Sequence, residues 1–180
     1  MSGARELFGA ATDFAIELGE RDASGFGTLQ LHAAGHAVGN TDRRMQLLIA
    51  ANFFARHSAE HLAPWPAELA PLARDPRAAL AFLRDLVTGG SEALARHGVP
   101  DRLAFDAAFL TRMQSHVLTH SLGPAFDGFF AVLVPLSSQR LQLVHDRDDA
   151  VRALAFSAAG YRRAVGELAR GFGLEVRKSP

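Results

Sequence analysis

The stretch FFAVLVPLSSQRLQLVHDRDDAVRALAF, residues 129–156, decides the fold. Phe129 to Val134 is almost wholly apolar, as a strand covered on both faces must be. Leu136-Ser137-Ser138 breaks the run and reads as a turn. Gln139 to His145 then alternates through Leu141 and Leu143, the period of a strand. Asp146-Arg147-Asp148-Asp149 reads as a hairpin loop and Val151 to Phe156 as the next strand. Ser157 is a capping residue, and beyond it Tyr161, Val165, Leu168, Ala169 and Phe172 recur at the spacing of one helix face. Three strands and an amphipathic helix therefore close the chain.

The opening repeats that arrangement in shorter form. Phe14, Ile16 and Leu18 alternate with Ala15 and Glu17, and a second strand runs from Phe26 to His32. Ala33-Ala34-Gly35 is a tight turn in which Gly35 is free to take positive φ, and His36-Ala37-Val38 is the return strand. Asn40 or Thr41 predicts a helix start, with Met45, Leu48, Ile49, Asn52 and Phe53 on one buried face. The expected fold is α+β: a mainly antiparallel sheet of about five or six strands with helices packed against it, in two βββα-like halves.

Residues 59–122 read as mostly helix and loop. Pro64, Trp65, Pro66 and Pro71 break any periodicity and mark a surface loop. Asp75-Pro76 opens a helix whose buried face is Leu80, Leu83, Leu86 and Val87. Gly89-Gly90 ends it, Ser91 caps a short helix reaching His97, and Gly98 stops that one. Phe105 to Met113 reads as helix, Gln114 to His120 fits a helix end or a strand, and the tail after Gly173 reads as loosely held.

A chain of 180 residues that is 48% hydrophobic fits a single domain over 1–180 with a real core. Its formal net charge of zero supplies no cationic footprint for nucleic acid. The absence of cysteine excludes disulfides, thiolate metal sites and a cysteine nucleophile. No apolar run is long enough to span a bilayer, and Met1 to Leu7 has no signal-peptide core, so the expected location is cytoplasmic.

Candidate chemistry is sparse. His57 and His61 lie four apart, as do His116 and His120, a spacing that on a helix turns two imidazoles to one face, with Glu60 beside the first pair. Neither pair has the His-Glu-x-x-His order of a zinc protease. Ser91 lacks the strand-turn-helix setting of a hydrolase nucleophile and reads as a cap. Gly25-Phe26-Gly27 reads as a bend entering a strand rather than a phosphate loop. Asp146, Asp148 and Asp149 lack the glycine and terminal glutamate of a helix-loop-helix calcium site. With no complete nucleophile or ligand set, neither an enzyme nor a cofactor is expected. The tip Asp146, Arg147, Asp148 and Asp149 is the candidate protein-contact element. Trp65 is either a plug at the core edge or an exposed anchor.

Asp13-Phe14-Ala15-Ile16-Glu17, the return Gly35-His36-Ala37-Val38-Gly39-Asn40 and the helix after it resemble the start of the immunity protein 42 family. Phe126-Asp127-Gly128-Phe129, Gln139-Arg140-Leu141 and the strand-then-helix ending at Phe172 are similar to that family's closing region. Leu31, His32 and Leu143 stand where the family favours aromatics. The resemblance covers both ends of the chain and is vague between Ala59 and Leu122. It implies a small cytosolic protein that binds a cognate toxin of a bacterial polymorphic toxin system and blocks it, with no catalytic residues to assign. The competing class is a small metal-binding protein or metalloenzyme using the His57/His61 and His116/His120 pairs.

Overall fold

The computed structural model describes residues 5–89 and 94–177. The fold is α+β, with antiparallel sheets and helices packed against them. Strands β1 (Glu6–Gly9), β2 (Phe14–Leu18), β4 (Leu29–Ala33) and β5 (His36–Val38) form one sheet in the order β1-β2-β4-β5. Two short strands, β3 (Phe26–Gly27) and β6 (Met45–Gln46), make a separate ribbon. The last sheet is β7 (Ala131–Ser137), β8 (Arg140–His145) and β9 (Arg152–Ser157) in sequence order. The α-helices are α1 (Leu47–Leu62), α2 (Ala70–Arg74), α3 (Pro76–Thr88), α4 (Asp101–Ala104), α5 (Ala107–Ser115), α6 (Leu118–Leu122) and α7 (Ala158–Gly171), and short 3-10 turns lie at Ala67–Leu69, Gly123–Phe126 and Arg147–Asp149.

The β7–β8 hairpin explains why the strands divide into several sheets instead of extending one. Ala131, Leu133, Leu141 and Leu143 face a core shared with Phe14, Ile16, Leu29, Leu31, Phe54 and Leu168. Val132, Val134 and Val144 face a second core with Trp65, Leu69, Leu80, Leu83 and Met113. Period-two alternation splits one apolar run between two faces, and each must be covered. The first sheet and helices α1 and α7 cover one side; the middle helices cover the other. The middle of the chain is thus a packed layer, with Asp75 capping α3 as its sequence implies.

Several local expectations need correction. The strand read from Phe26 to His32 divides at Thr28, Phe26–Gly27 joining the ribbon and Leu29–Ala33 the first sheet, and the loop expected around Pro64–Pro71 turns into helix α2 at Ala70. The helix expected at Asn40 begins at Leu47, because Met45–Gln46 pairs with Phe26–Gly27 first and the Gln46 side chain supplies the cap. Its buried face is Leu47, Ala50, Ala51, Phe53 and Phe54, which leaves Leu48 and Ile49 in solvent. The segment Gln114–His120 is two helix pieces parted by a single bridge: α5 stops at Ser115, Val117 bridges to Val132, and α6 starts at Leu118. The tail is held, since Leu174 and Val176 pack on the core and Arg177 N–H donates to Ala55 O at 2.9 Å. Ser91, read as a cap, lies outside the described residues.

Helix α7 packs on β1, β2 and α1, joining the two ends of the chain. A polar clasp fixes its start. Asp13 Oδ1 accepts from Ser157 N–H at 2.7 Å and Oδ2 from the Ser157 hydroxyl at 2.5 Å, while Ser157 Oγ accepts from Gly160 N–H. A Cβ at Gly160 would collide with the Asp13 carboxylate. Gly160→Ala should therefore cost about 1–3 kcal/mol and Leu168→Ala about 2–5 kcal/mol, read from urea unfolding midpoints. Unchanged midpoints would mean that α7 is not docked as described.

Candidate functional site

The histidines singled out by spacing do not form one site. On α1, His57 and His61 do share a face, with ring centroids 6.3 Å apart. His61 is fully buried and both its nitrogens are engaged: Nε2 lies 2.8 Å from Ser115 O and Nδ1 lies 2.5 Å from the Tyr161 hydroxyl. A carbonyl only accepts, so Nε2 carries the proton and Tyr161 donates to Nδ1. Burial pushes His61 down to about 3 and pushes the Tyr161 phenol well up, so both stay neutral. The other pair is parted by the break at Val117. His116 is buried and donates Nδ1–H to Leu133 O at 2.8 Å, while His120 is exposed on α6. Burial, then the neighbouring His61, holds His116 well below the usual imidazole range. Among the described residues, no group of three or more His, Asp or Glu side chains is arranged to hold a metal.

The partner-contact residues proposed from sequence are also placed unevenly. Trp65 is 6% exposed, its ring edge-on to Phe82 and His116, so it plugs the second core and offers no anchor. Asp146 is a structural strut rather than a free tip charge. It pairs with Arg84 and accepts Phe130 N–H at 2.6 Å. Arg147 stacks over Phe129 and donates to Gly39 O. Asp148 is exposed, at a left-handed φ of 60°, and Asp149 ends the single 3-10 turn that forms the tip. Gly25, Phe26 and Gly27 do form a bend entering a strand, and Gly25 takes φ +82°.

A different surface emerges where the β3–β6 ribbon meets α1. Phe26 is 42% exposed, Leu48 44% and Ile49 56%. Pairing places Phe26 opposite Gln46, and Leu48 lines a surface depression with Arg21, Asp22 and Phe172. Polar ties hold this edge still. Gln46 Nε2 donates to Ser24 O at 3.1 Å and its Oε1 accepts from Leu48 N–H. Arg44 donates to Phe26 O at 2.7 Å and pairs with Asp22 at 3.2 Å. Arg21 lies over the Phe172 ring. Exposed apolar side chains beside charged groups are the kind of surface a protein partner uses. One signal for it was legible: Leu47-Leu48-Ile49 holds more apolar residues than one helix face can bury.

Comparison of the chain with protein-family models, curated proteins and solved structures returned no significant match. No helix among the described residues is long and apolar enough to cross a membrane.

The buried imidazoles set a pH dependence. Unfolded, both would protonate near the ordinary value of 6.5; folded, His61 resists to about 3 and His116 likewise stays neutral. The unfolded state therefore binds more protons between these limits, and stability present above pH 6.5 is lost as pH falls toward 3. Each group contributes a slope of at most about 1.4 kcal/mol per pH unit. Urea titrations at about pH 7 and about pH 4.5 check this, and a flat profile would contradict it. Tyr161→Phe leaves His61 Nδ1 unpaired and should cost about 1–3 kcal/mol at neutral pH.

Proposed function

We propose that this chain is a cytoplasmic immunity protein that binds a cognate bacterial toxin stoichiometrically and blocks it. The reading rests on the resemblance at both ends of the chain and on one structural observation. That observation is the exposure of Phe26, Leu48 and Ile49 where the β3–β6 ribbon meets α1, with Arg21 and Asp22 beside Leu48 and Arg44 bonded to the Phe26 carbonyl. Apolar side chains at the centre of such a surface carry most of the affinity, and rim charges tune the rate and choice of partner. Preformed backbone lowers the entropy lost on docking. Of the four histidines that would serve the metalloenzyme reading, His61 and His116 are buried in the core, with His61 bonded at both nitrogens. On this reading Asp148 lies on a second, outer part of the contact, where it steers association.

The test is co-expression with the toxin domain encoded beside this gene, followed by association kinetics on the purified pair. The native chain should protect the cells. Ile49→Asp should weaken binding by about tenfold to a hundredfold through faster dissociation. It should leave the fold intact, because an acid at the third helical position suits the positive end of the α1 dipole. Asp148→Asn should change the association rate and its salt sensitivity. No protection by the native chain would overturn the immunity reading; protection undiminished by Ile49→Asp would move the contact elsewhere.

A further inference from the structure

The two larger sheets have four outer edges, β1, β5, β7 and β9, and two of them are covered. Glu167 of α7 accepts the Gly9 N–H of β1 at 2.7 Å, and His116 and Thr119 close β7. The other two border one open cleft of about 610 Å³, walled by His36, Ala37 and Val38 of β5 and by Arg152, Ala153 and Leu154 of β9. Open edges are normally shielded, because their backbone groups pair readily with another extended chain.

The hydrogen-bond pattern tells which groups on these edges are free. Ala158 N–H donates to Gln139 O on the β8 side at 2.8 Å, while Ser157 N–H turns the other way, to Asp13. From there the β8–β9 register runs unbroken, and an antiparallel ladder alternates residue by residue. Ala153 and Ala155 therefore turn both backbone groups away from β8. On β5 the count starts from Ala34 N–H, which donates to Asp13 O on the β2 side, and it turns Ala37 outward. None of these three alanines has a backbone partner on that side among the described residues. Ala153 and Ala155 lie about 7 Å apart, the repeat at which an extended chain presents its own N–H and C=O. Their methyl groups let such a chain approach closely, and β9 has neither proline nor bulge to prevent it.

The walls of the cleft restrict what can add there. Val38 and Leu154 pack on the core that the two larger sheets share, so every second side chain of an added strand meets apolar surface. Arg147 and Arg152 stand against one carboxylate, Asp148, among the described residues that line the cleft. Burial, then the Arg152 charge, lowers His145, so its imidazole is neutral and the standing charge comes from the two arginines. That charge complements carboxylates. We infer that the free edge of β9 receives an extended segment of another protein, bearing carboxylate side chains, as a fourth strand of the last sheet. Backbone bonds to Ala153 and Ala155 hold the segment, the arginines select its charge, and β5 forms the opposite wall. The cleft lies apart from the apolar edge at the start of α1, and the inference does not rest on the toxin reading.

Two synthetic peptides with capped ends make the test, one alternating valine with glutamate and the other valine with lysine. Amide shifts and hydrogen exchange of the native protein are followed by NMR while either peptide is added to about 1 mM. Alone, the Ala153 and Ala155 amides should exchange freely. The glutamate peptide should shift both and that of Ala37, and slow exchange of the first two about tenfold at a dissociation constant near about 0.1 mM. It should bind at least about tenfold more tightly than the lysine peptide. Arg152→Glu should narrow that preference to about twofold or less. Ala153→Pro removes an N–H that β8 does not use, so it should keep the native circular dichroism and lose the peptide. Should the proline unfold the chain, Arg152→Glu still decides. The inference is overturned by no response to the glutamate peptide, by equal response to both, or by undiminished binding to folded Ala153→Pro. Ala153 and Ala155 amides already protected by self-association would assign the edge to a second copy and overturn it as well.

Discussion

The β7–β8 hairpin is apolar on both faces, and almost everything else in the molecule is arranged to cover it. One face takes the first sheet with α1 and α7; the other takes the helices of the middle segment. The only buried amide of the hairpin, Gln142, points to the helical side and donates to Ala73 O at the end of α2, so it is not left unpaired. The outer edge of β7 is closed as well. Leu133 N–H donates to His116 O and Ala131 N–H to the Thr119 hydroxyl, which occupies the open side that a lone hairpin would expose. The break between α5 and α6 follows from this: the chain must leave helical geometry to run beside the strand.

The buried imidazoles serve the same junction. A helix ending at Ser115 leaves carbonyls with no partner inside the helix, and a capped strand edge leaves another at Leu133. An imidazole kept neutral by burial donates one N–H without bringing a charge into the core. His61 does so for Ser115 O and His116 for Leu133 O. The reciprocal bond from Leu133 N–H to His116 O makes a closed pair between loop and strand. Histidine at helical spacing, read alone, suggests ligands for a metal; here two of the four close a backbone account. The cost appears only in acid, where the unfolded chain gains protons that the folded one refuses.

Legibility in the sequence followed the strength of local pattern. The strands and helix from Ala131 to Gly171 were readable because alternation, a polar loop and a serine cap all agree there, and so was the Asp75 cap. Strand β1 was missed: Glu6-Leu7-Phe8-Gly9 is too short to show a period and forms by pairing with β2. The start and phase of α1 were missed for a related reason. Pairing of Phe26 with Gln46, at a separation of twenty residues, overrides the capping signal at Asn40. That shift turns Leu48 and Ile49 outward, so the candidate binding edge could be suspected from surplus apolar residues but not located.

Helix α1 therefore presents the candidate binding edge at its first turn and is fixed along the rest of its length. Beyond Ile49 it is anchored by Ala50, Ala51, Phe54, Ser58 and His61, all buried. A helix fixed in this way transmits neither a rotation nor a register shift unless it has a second packed position. The His61–Tyr161 and His61–Ser115 bonds tie its far end to α7 and to the end of α5. A partner docked at the ribbon edge would therefore meet a helix already held in place, and any motion of α1 on docking would have to break the two hydrogen bonds that hold His61.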